Sequence, residues 1–226
     1  MSRPVIIVVV KAPLAGLVKT RLTPPLSADD AAALAACFAQ DVVNNAKRAA
    51  SELIIAYAPA SGRDALDKLL RGKLLWLEQQ GADLGERLEH AAMHAFDLGF
   101  SPLVLLGADS PTLPHAFITT ATQSLAAAES DITLGPTEDG GYYLVGLRRP
   151  TSGLFQNIDW SSPQAYAQTV RNARHLGLRL LELPPWYDVD TFSDLLRLRA
   201  EIFSDEEARR RAPTTYRWMR KAMKSG

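Results

Sequence analysis

The sequence has a single cysteine, Cys37. One thiol forms no internal disulfide, which excludes a disulfide-stapled scaffold and fits a reducing compartment. Cys37 sits in an alanine-rich helical stretch without a local cation to activate it, so it reads as a small buried hydrophobe and not a nucleophile. Charge of one sign is also missing: 25 Lys and Arg balance 25 Asp and Glu. No global field draws the chain to nucleic acid or to an anionic membrane, and any grip on phosphate must be local. Long apolar runs are absent too. Val5 to Val10 is stopped by Lys11, is too short to span a bilayer, and lacks the lead-in and cleavage pattern of a secretion signal. These absences predict a cytoplasmic protein with no integral membrane association.

Three motif absences narrow the chemistry. A Walker A loop needs glycine directly before its lysine, whereas Gly16 stands three positions ahead of Lys19, and no G-x-G-x-x-G follows the first apolar run. A serine-hydrolase elbow, G-x-S-x-G, is missing. His90 and His94 are four apart but lack the acidic residue of a zinc helix. His115 stands alone.

What is present is an alternation of short apolar runs and amphipathic stretches over 226 residues, 47% of them hydrophobic. Strands are predicted from Pro4 to Val10, Leu53 to Ala58, Lys73 to Leu77, Pro102 to Leu106, Asp131 to Gly135, Tyr142 to Leu147 and Leu178 to Leu183. Helices fall between them. Ser27 and Asp30 resemble a capping box ahead of Ala31, Leu34, Ala35, Phe38 and Val42, and Ser162-Pro163 reads as an N-cap with proline at the first helical position. The pattern predicts an α/β fold with a mostly parallel sheet covered on both faces. No linker divides the chain, so residues 1–203 are assigned to one domain and 204–226 to a basic helical extension of it. Its interleaved Tyr216 and Trp218 suggest an amphipathic helix packed on the body.

In such a sheet, connections that follow parallel strands meet at one edge. Three of them carry charge. Lys11 to Arg21 follows the first strand, Asp109 the fourth and Asp188 to Asp190 the last. Asp109 with Asp190, or with Asp188, can bind Mg²⁺ or Mn²⁺, which takes few protein carboxylates and completes its shell with phosphate and water; alternatively Asp109 only turns the chain. Lys11, Lys19 and Arg21 can neutralise phosphates, and Gly16 can let the backbone approach them, unless this is simply a solvated basic loop. Glu138-Asp139-Gly140-Gly141 is either a hairpin turn or a place where glycines admit a sugar or acceptor and Asp139 or Glu138 bonds its hydroxyls or acts as base. Gly85, in the polar connection Gln79 to Arg87, joins the expected ligand-binding glycines Gly16, Gly140 and Gly141.

Lys11-Ala-Pro-x-x-Gly16-x-Val-Lys19-Thr-Arg21-Leu22, Gly107-Ala-Asp109-Ser-Pro111, Asp139-Gly-Gly-Tyr-Tyr-Leu-Val-Gly146 and Asp188-Val-Asp190-Thr191 together resemble a bacterial family once of unknown function (DUF2064-like), placed in the glycosyltransferase A (GT-A) superfamily. Some members are named glycosyltransferases of arsenosugar biosynthesis. The likeness runs from residue 4 to about residue 202. It implies a three-layer Rossmann-like GT-A fold with a mainly parallel mixed sheet. It also implies a nucleotide at the carboxyl edge and a divalent metal on Asp109 and Asp190. The basic loop is similar as well to that of nucleotidyltransferases such as phospholactate guanylyltransferase. Two activities follow as expectations: transfer of a sugar from a nucleotide-sugar to a small acceptor, or joining of an NTP to a phosphorylated substrate with loss of pyrophosphate. A non-catalytic nucleotide-binding protein is the third. In the first, Asp109, Asp139, Lys19 and Arg21 are the catalytic set. The sequence does not fix the oligomeric state.

Overall fold

The computed structural model describes residues 3–160 and 162–222. Seven strands form one sheet in the order β3-β2-β1-β4-β6-β5-β7, with β1 Val5–Lys11, β2 Glu52–Ala58, β3 Leu75–Glu78, β4 Leu103–Gly107, β5 Ile132–Pro136, β6 Tyr142–Leu147 and β7 Leu180–Glu182. All run the same way except β6, which lies antiparallel between β4 and β5. The sheet is therefore mixed and mainly parallel, as expected. Its one reversed strand follows from the Gly140-Gly141 turn, which folds β5 back on β6 as a hairpin.

Period-two alternation divides each strand between two cores. Ile6, Val8 and Val10 of β1 pack with α1 (Ala28–Lys47), α2 (Arg63–Leu69) and α4 (His115–Ala126), while Val5 and Ile7 face α3 (Leu84–Asp97) and α5 (Ala165–His175). The result is three layers. Ser27 Oγ accepts the Asp30 N–H at 3.0 Å, so α1 starts where the sequence places it. Helix α5 does not. It begins at Ala165 because Ser162 Oγ bonds the Asp159 carbonyl and the Gln164 N–H, forming a bend ahead of the helix. Strand β7 is shorter than expected, pairing on one side only as the sheet's edge.

Beyond the sheet, α6 (Phe192–Ser204), α7 (Glu206–Arg211) and α8 (Pro213–Ala222) fold back on α1. Leu195, Leu198, Ile202, Ala212 and Met219 bury a third cluster with Leu34 and Phe38 of α1 and with Leu22. Fully buried Asp41, on α1, caps α8 from outside: its carboxylate accepts the N–H groups of Thr214 (3.0 Å) and Thr215 (2.8 Å) and the Thr215 hydroxyl. Replacing it removes that cap and leaves buried donors unpaired. Asp41→Ala is expected to lower unfolding free energy by roughly 2 kcal/mol, seen as a shifted urea midpoint.

At the sheet's opposite edge from the charged loops, Asp131 is held by Arg179 and Arg148, with Arg179 Nε at 2.9 Å and Arg148 Nε at 3.0 Å. Hydrogen bonds from Arg179 and then Arg148 keep its carboxyl far below the usual carboxylate range. A depressed folded-state pKa contributes stability above the unfolded value of about 4 and loses it as pH falls toward the folded value. The stability gap between wild type and Asp131→Asn is therefore expected to be full at pH 7 and to shrink below about pH 4 in denaturation curves. Among the described residues, no helix is long and apolar enough to cross a membrane.

Candidate active site

The connection after β1 turns inward at Lys19, whose backbone is left-handed at φ 48° and opens a short 3-10 turn, Thr20–Leu22. Buried Leu22 anchors that turn in the third core cluster. The lysine side chain is thereby carried under the loop until only 7% of it is exposed. Its ammonium meets Asp109 in a close ion pair, Asp190 Oδ1 at 3.0 Å and the Val189 carbonyl at 2.7 Å. Burial pulls the Lys19 pKa down, but the two carboxylates outweigh it and hold the group above its ordinary value. Lys19 is therefore a fixed cation. Arg21 is exposed, with Nη1 4.0 Å from Asp190 Oδ2.

The loops after β4 and β7 are tied to each other. The Val189 N–H donates to the Asp109 carbonyl at 3.0 Å, and Ser110 Oγ bonds both the Tyr187 carbonyl and the Asp188 carboxylate. Behind them Glu201 accepts from the hydroxyls of Thr112 and Tyr187, while Arg211 Nε donates to the Thr112 carbonyl at 2.7 Å. Burial, then the negative charge of Asp109, pushes the Asp188 carboxyl up to about 7.

These groups border a cleft of about 520 Å³ at the carboxyl edge of the sheet, lined by Lys11, Lys19, Thr20, Arg21, Asp109, Asp188 and Asp190 together with Gln79, Leu84, Arg87, Tyr142 and Tyr143. Side chains from three loops that are far apart in sequence thus meet where the parallel topology requires. The acidic set consists of hard oxygen donors, and burial together with the charge of Asp109 disfavours the ionised form of Asp188. Asp109 is half exposed and lines the cleft. Such donors fit Mg²⁺ or Mn²⁺ as open ligands completed by phosphate, and not as a closed cage. Among the described residues no group of three or more His, Cys, Asp or Glu is placed to hold a metal ion by itself, and His90 and His94 are a stacked ring pair.

The remaining predicted residues stand elsewhere. Asp139 Oδ1 accepts from the Thr137 hydroxyl at 2.6 Å and the Gly141 N–H at 3.2 Å within the β5–β6 turn. Gly140 has φ +91°, and a Cβ on it would come within 2.0 Å of the Pro163 carbonyl oxygen. A Cβ on Gly85 would strike the Trp160 ring at 2.7 Å. That glycine lets α3 pack against the Phe155–Trp160 segment. Gly16, at φ +78°, opens on free space in the β1 loop. Cys37 is half buried, and burial pushes its thiol up to about 11, consistent with an unreactive side chain. Gln79 and Arg87 were not legible as site residues, since a polar stretch between a strand and a helix looks like any solvated connection.

No curated protein matches the sequence. Residues 42–162 match the family described as "Uncharacterized protein conserved in bacteria (DUF2064)". A crystal structure from Desulfovibrio desulfuricans G20, described as a "putative nucleotide-diphospho-sugar transferase", shares 37% identity at a TM-score of 0.87, covering 98% of this chain and 95% of that one. CMP:2-keto-3-deoxy-manno-octonic acid synthetase, solved with CTP, shares the fold at a TM-score of 0.60 and 15% identity, covering 89% of this chain and 99% of that one. Rv0371c of Mycobacterium tuberculosis H37Rv, in complex with manganese, does so at 0.50 and 19%, with coverage of 87% and 98%. The fold is thus one that nucleotidyl and nucleotide-sugar transferases share, and by family match and by identity over nearly its whole length the chain belongs to the DUF2064 family.

Proposed function

We propose that this protein is a metal-dependent transferase that binds a nucleotide-sugar in the carboxyl-edge cleft and moves the sugar to a small acceptor. The observation that carries this is the Lys19 ammonium fixed among Asp109, Asp190 and the Val189 carbonyl, with Lys11 and Arg21 on the same cleft. A cation buried beside carboxylates at the edge of a parallel sheet is suited to a ligand that brings both phosphate and metal. The Desulfovibrio relative supports the sugar-nucleotide class.

Asp109 and Asp190, with Asp188 beside them, would hold Mg²⁺ or Mn²⁺, which when bound neutralises diphosphate oxygens and stabilises the charge of the departing phosphate. Lys19 and Arg21 add positive charge to the leaving diphosphate, the lysine as a preset point charge and the arginine as a mobile fork. Asp139 keeps Oδ2 unpartnered among the described residues, at the turn that leads into cleft-lining Tyr142. In this scheme it orients the acceptor hydroxyl or takes its proton, while Gly140 serves the turn by its close packing on Pro163. The ligands are a nucleotide-sugar and a small molecule, and the protein is cytoplasmic, with residues 204–222 an extension of the single domain; the end of the expected 204–226 extension lies outside the described residues.

Nucleotidyl transfer is the alternative that one observation favours. Ala108, buried, stands where sugar transferases of this fold carry the first acid of an Asp-x-Asp pair, and three cations come from the β1 loop. The two reactions leave different products. With a panel of sugar nucleotides, NTPs and acceptors in Mg²⁺ or Mn²⁺, sugar transfer is expected to release nucleoside diphosphate. Release of pyrophosphate from an NTP would replace that assignment.

A further inference from the structure

The loop after β3 and the first turn of α3 carry two polar groups, Gln79 and Arg87, that the phosphate and metal chemistry does not use. Gln79 Nε2 donates to two main-chain carbonyls, Ala56 at 2.8 Å and Val10 at 3.2 Å. Only an NH₂ group can satisfy two carbonyls, so the amide orientation is fixed and its oxygen is left as an acceptor, unpartnered among the described residues. Arg87 is anchored by Nε on the Gly81 carbonyl at 3.1 Å. Its two terminal nitrogens, likewise unpaired among the described residues, remain a donor fork. Both residues line the cleft. The loop holding them is stiff: Asp83 caps α3, Glu86 closes back on the Ala82 N–H at 2.7 Å, and Gly81 is packed against Glu86.

Two large apolar side chains, Leu17 and Leu84, border the same cleft while 60% and 42% exposed. Apolar surface beside a fixed acceptor and a fork suits a flat heteroaromatic ring. Its place also suits one. Gln79 sits over the ends of β1 and β2, whereas Asp109 follows β4, so the cleft runs across strand positions β2-β1-β4. Two strand spacings make roughly 10 Å, about the reach of a nucleoside from base edge to phosphate.

The bases differ in the order of groups along that edge. Guanine presents N7 and O6 as adjacent acceptors followed by the N1 and N2 donors, and cytosine presents the N4 donor followed by adjacent acceptors N3 and O2. Adenine and uracil alternate acceptor, donor, acceptor. A fork needs two adjacent acceptors, and the Gln79 oxygen beside it needs a donor. We propose that Gln79 and Arg87 read the base of the bound nucleotide and select guanine or cytosine over adenine and uracil. This rests on the cleft being a nucleotide site.

The test is titration of the full chain with GDP, CDP, ADP and UDP in Mg²⁺, beside Lys19→Met, Arg87→Leu and Gln79→Leu. GDP or CDP is expected to bind roughly tenfold or more tightly than both ADP and UDP, and the preferred member names the base. Arg87→Leu and Gln79→Leu should erase the preference while the Lys19-dependent part of the affinity persists. Because Gln79 also ties β1 to β2, wild-type protein is tested in parallel with 7-deaza-GDP and 3-deaza-CDP, each lacking one ring acceptor. The deaza form of the preferred nucleotide should bind roughly tenfold more weakly than its parent. Equal binding of all four diphosphates, a preference for ADP or UDP, or an unaffected deaza analogue overturns the base assignment, while Lys19-dependent binding would leave the nucleotide site standing. Absence of any Lys19-dependent binding overturns both.

Discussion

Asp109→Asn is expected to cut turnover by roughly 10²- to 10³-fold, the equivalent of about 3–4 kcal/mol of lost charge stabilisation, with little change in the denaturation midpoint. Asparagine keeps the size of the side chain and turns a chain as readily as aspartate. If Asp109 served only to end β4, the variant would be close to wild type. In the cleft, however, Asp109 is half exposed and pairs with the buried Lys19 ammonium, and it is the first carboxylate past the central strand. Its neutral replacement loses a hard anionic oxygen and leaves Lys19 to Asp190 alone. The metal concentration for half-maximal activity should rise as kcat falls. Metal-dependent turnover that survives intact in the variant would remove Asp109 from the chemistry.

Lys19→Met carries the second large effect and has two readouts. Methionine retains the apolar stem that passes Phe38, with the ammonium 5.5 Å from that ring, but deletes the charge. Affinity for nucleotide should fall about 10- to 100-fold, the scale of one charge-assisted hydrogen bond lost. The second readout has the opposite sign. Without the ammonium, Asp109, Asp188 and Asp190 keep only exposed Arg21, 4.0 Å from Asp190, as a paired cation, so an added divalent cation replaces what the lysine supplied. Mg²⁺ should then raise the thermal midpoint of Lys19→Met more than that of wild type, by mass action on a more negative site. Equal responses would show that the lysine does not neutralise these carboxylates.

Much of this site could be read from the chain because parallel strands impose a rule. Charged residues at Lys11 to Arg21, at Asp109 and at Asp188 to Asp190 follow strands that run together, and the fold brings them to one cleft. Local signals also held where one bond decides them, as at Ser27 with Asp30. What escaped the sequence depends on partners far along the chain. Gln79 becomes a directed acceptor only because carbonyls of two other strands take its NH₂ group. Asp41, inside α1, is a helix cap for residues more than 170 positions later. Ser162 has the right identity for an N-cap but spends its hydroxyl on Asp159 and Gln164. Gly85 and Gly140 show the converse: glycines that suggest ligand contact have packing reasons of their own.

The bonds that tie the acidic loops have a consequence for the order in which the protein is made. Ser110 binds Tyr187, 77 residues later, and Thr112 is held by Arg211, 99 residues later. Synthesis runs from the N-terminus, so Lys19 and then Asp109 leave the ribosome ahead of the wall that carries Asp188 and Asp190. Until those residues emerge, the nascent chain has the cations and one carboxylate but no closed cleft. Contacts of such long sequence separation are also slow to form. The complete cleft therefore forms only once the residues that follow β7 have joined the central strands.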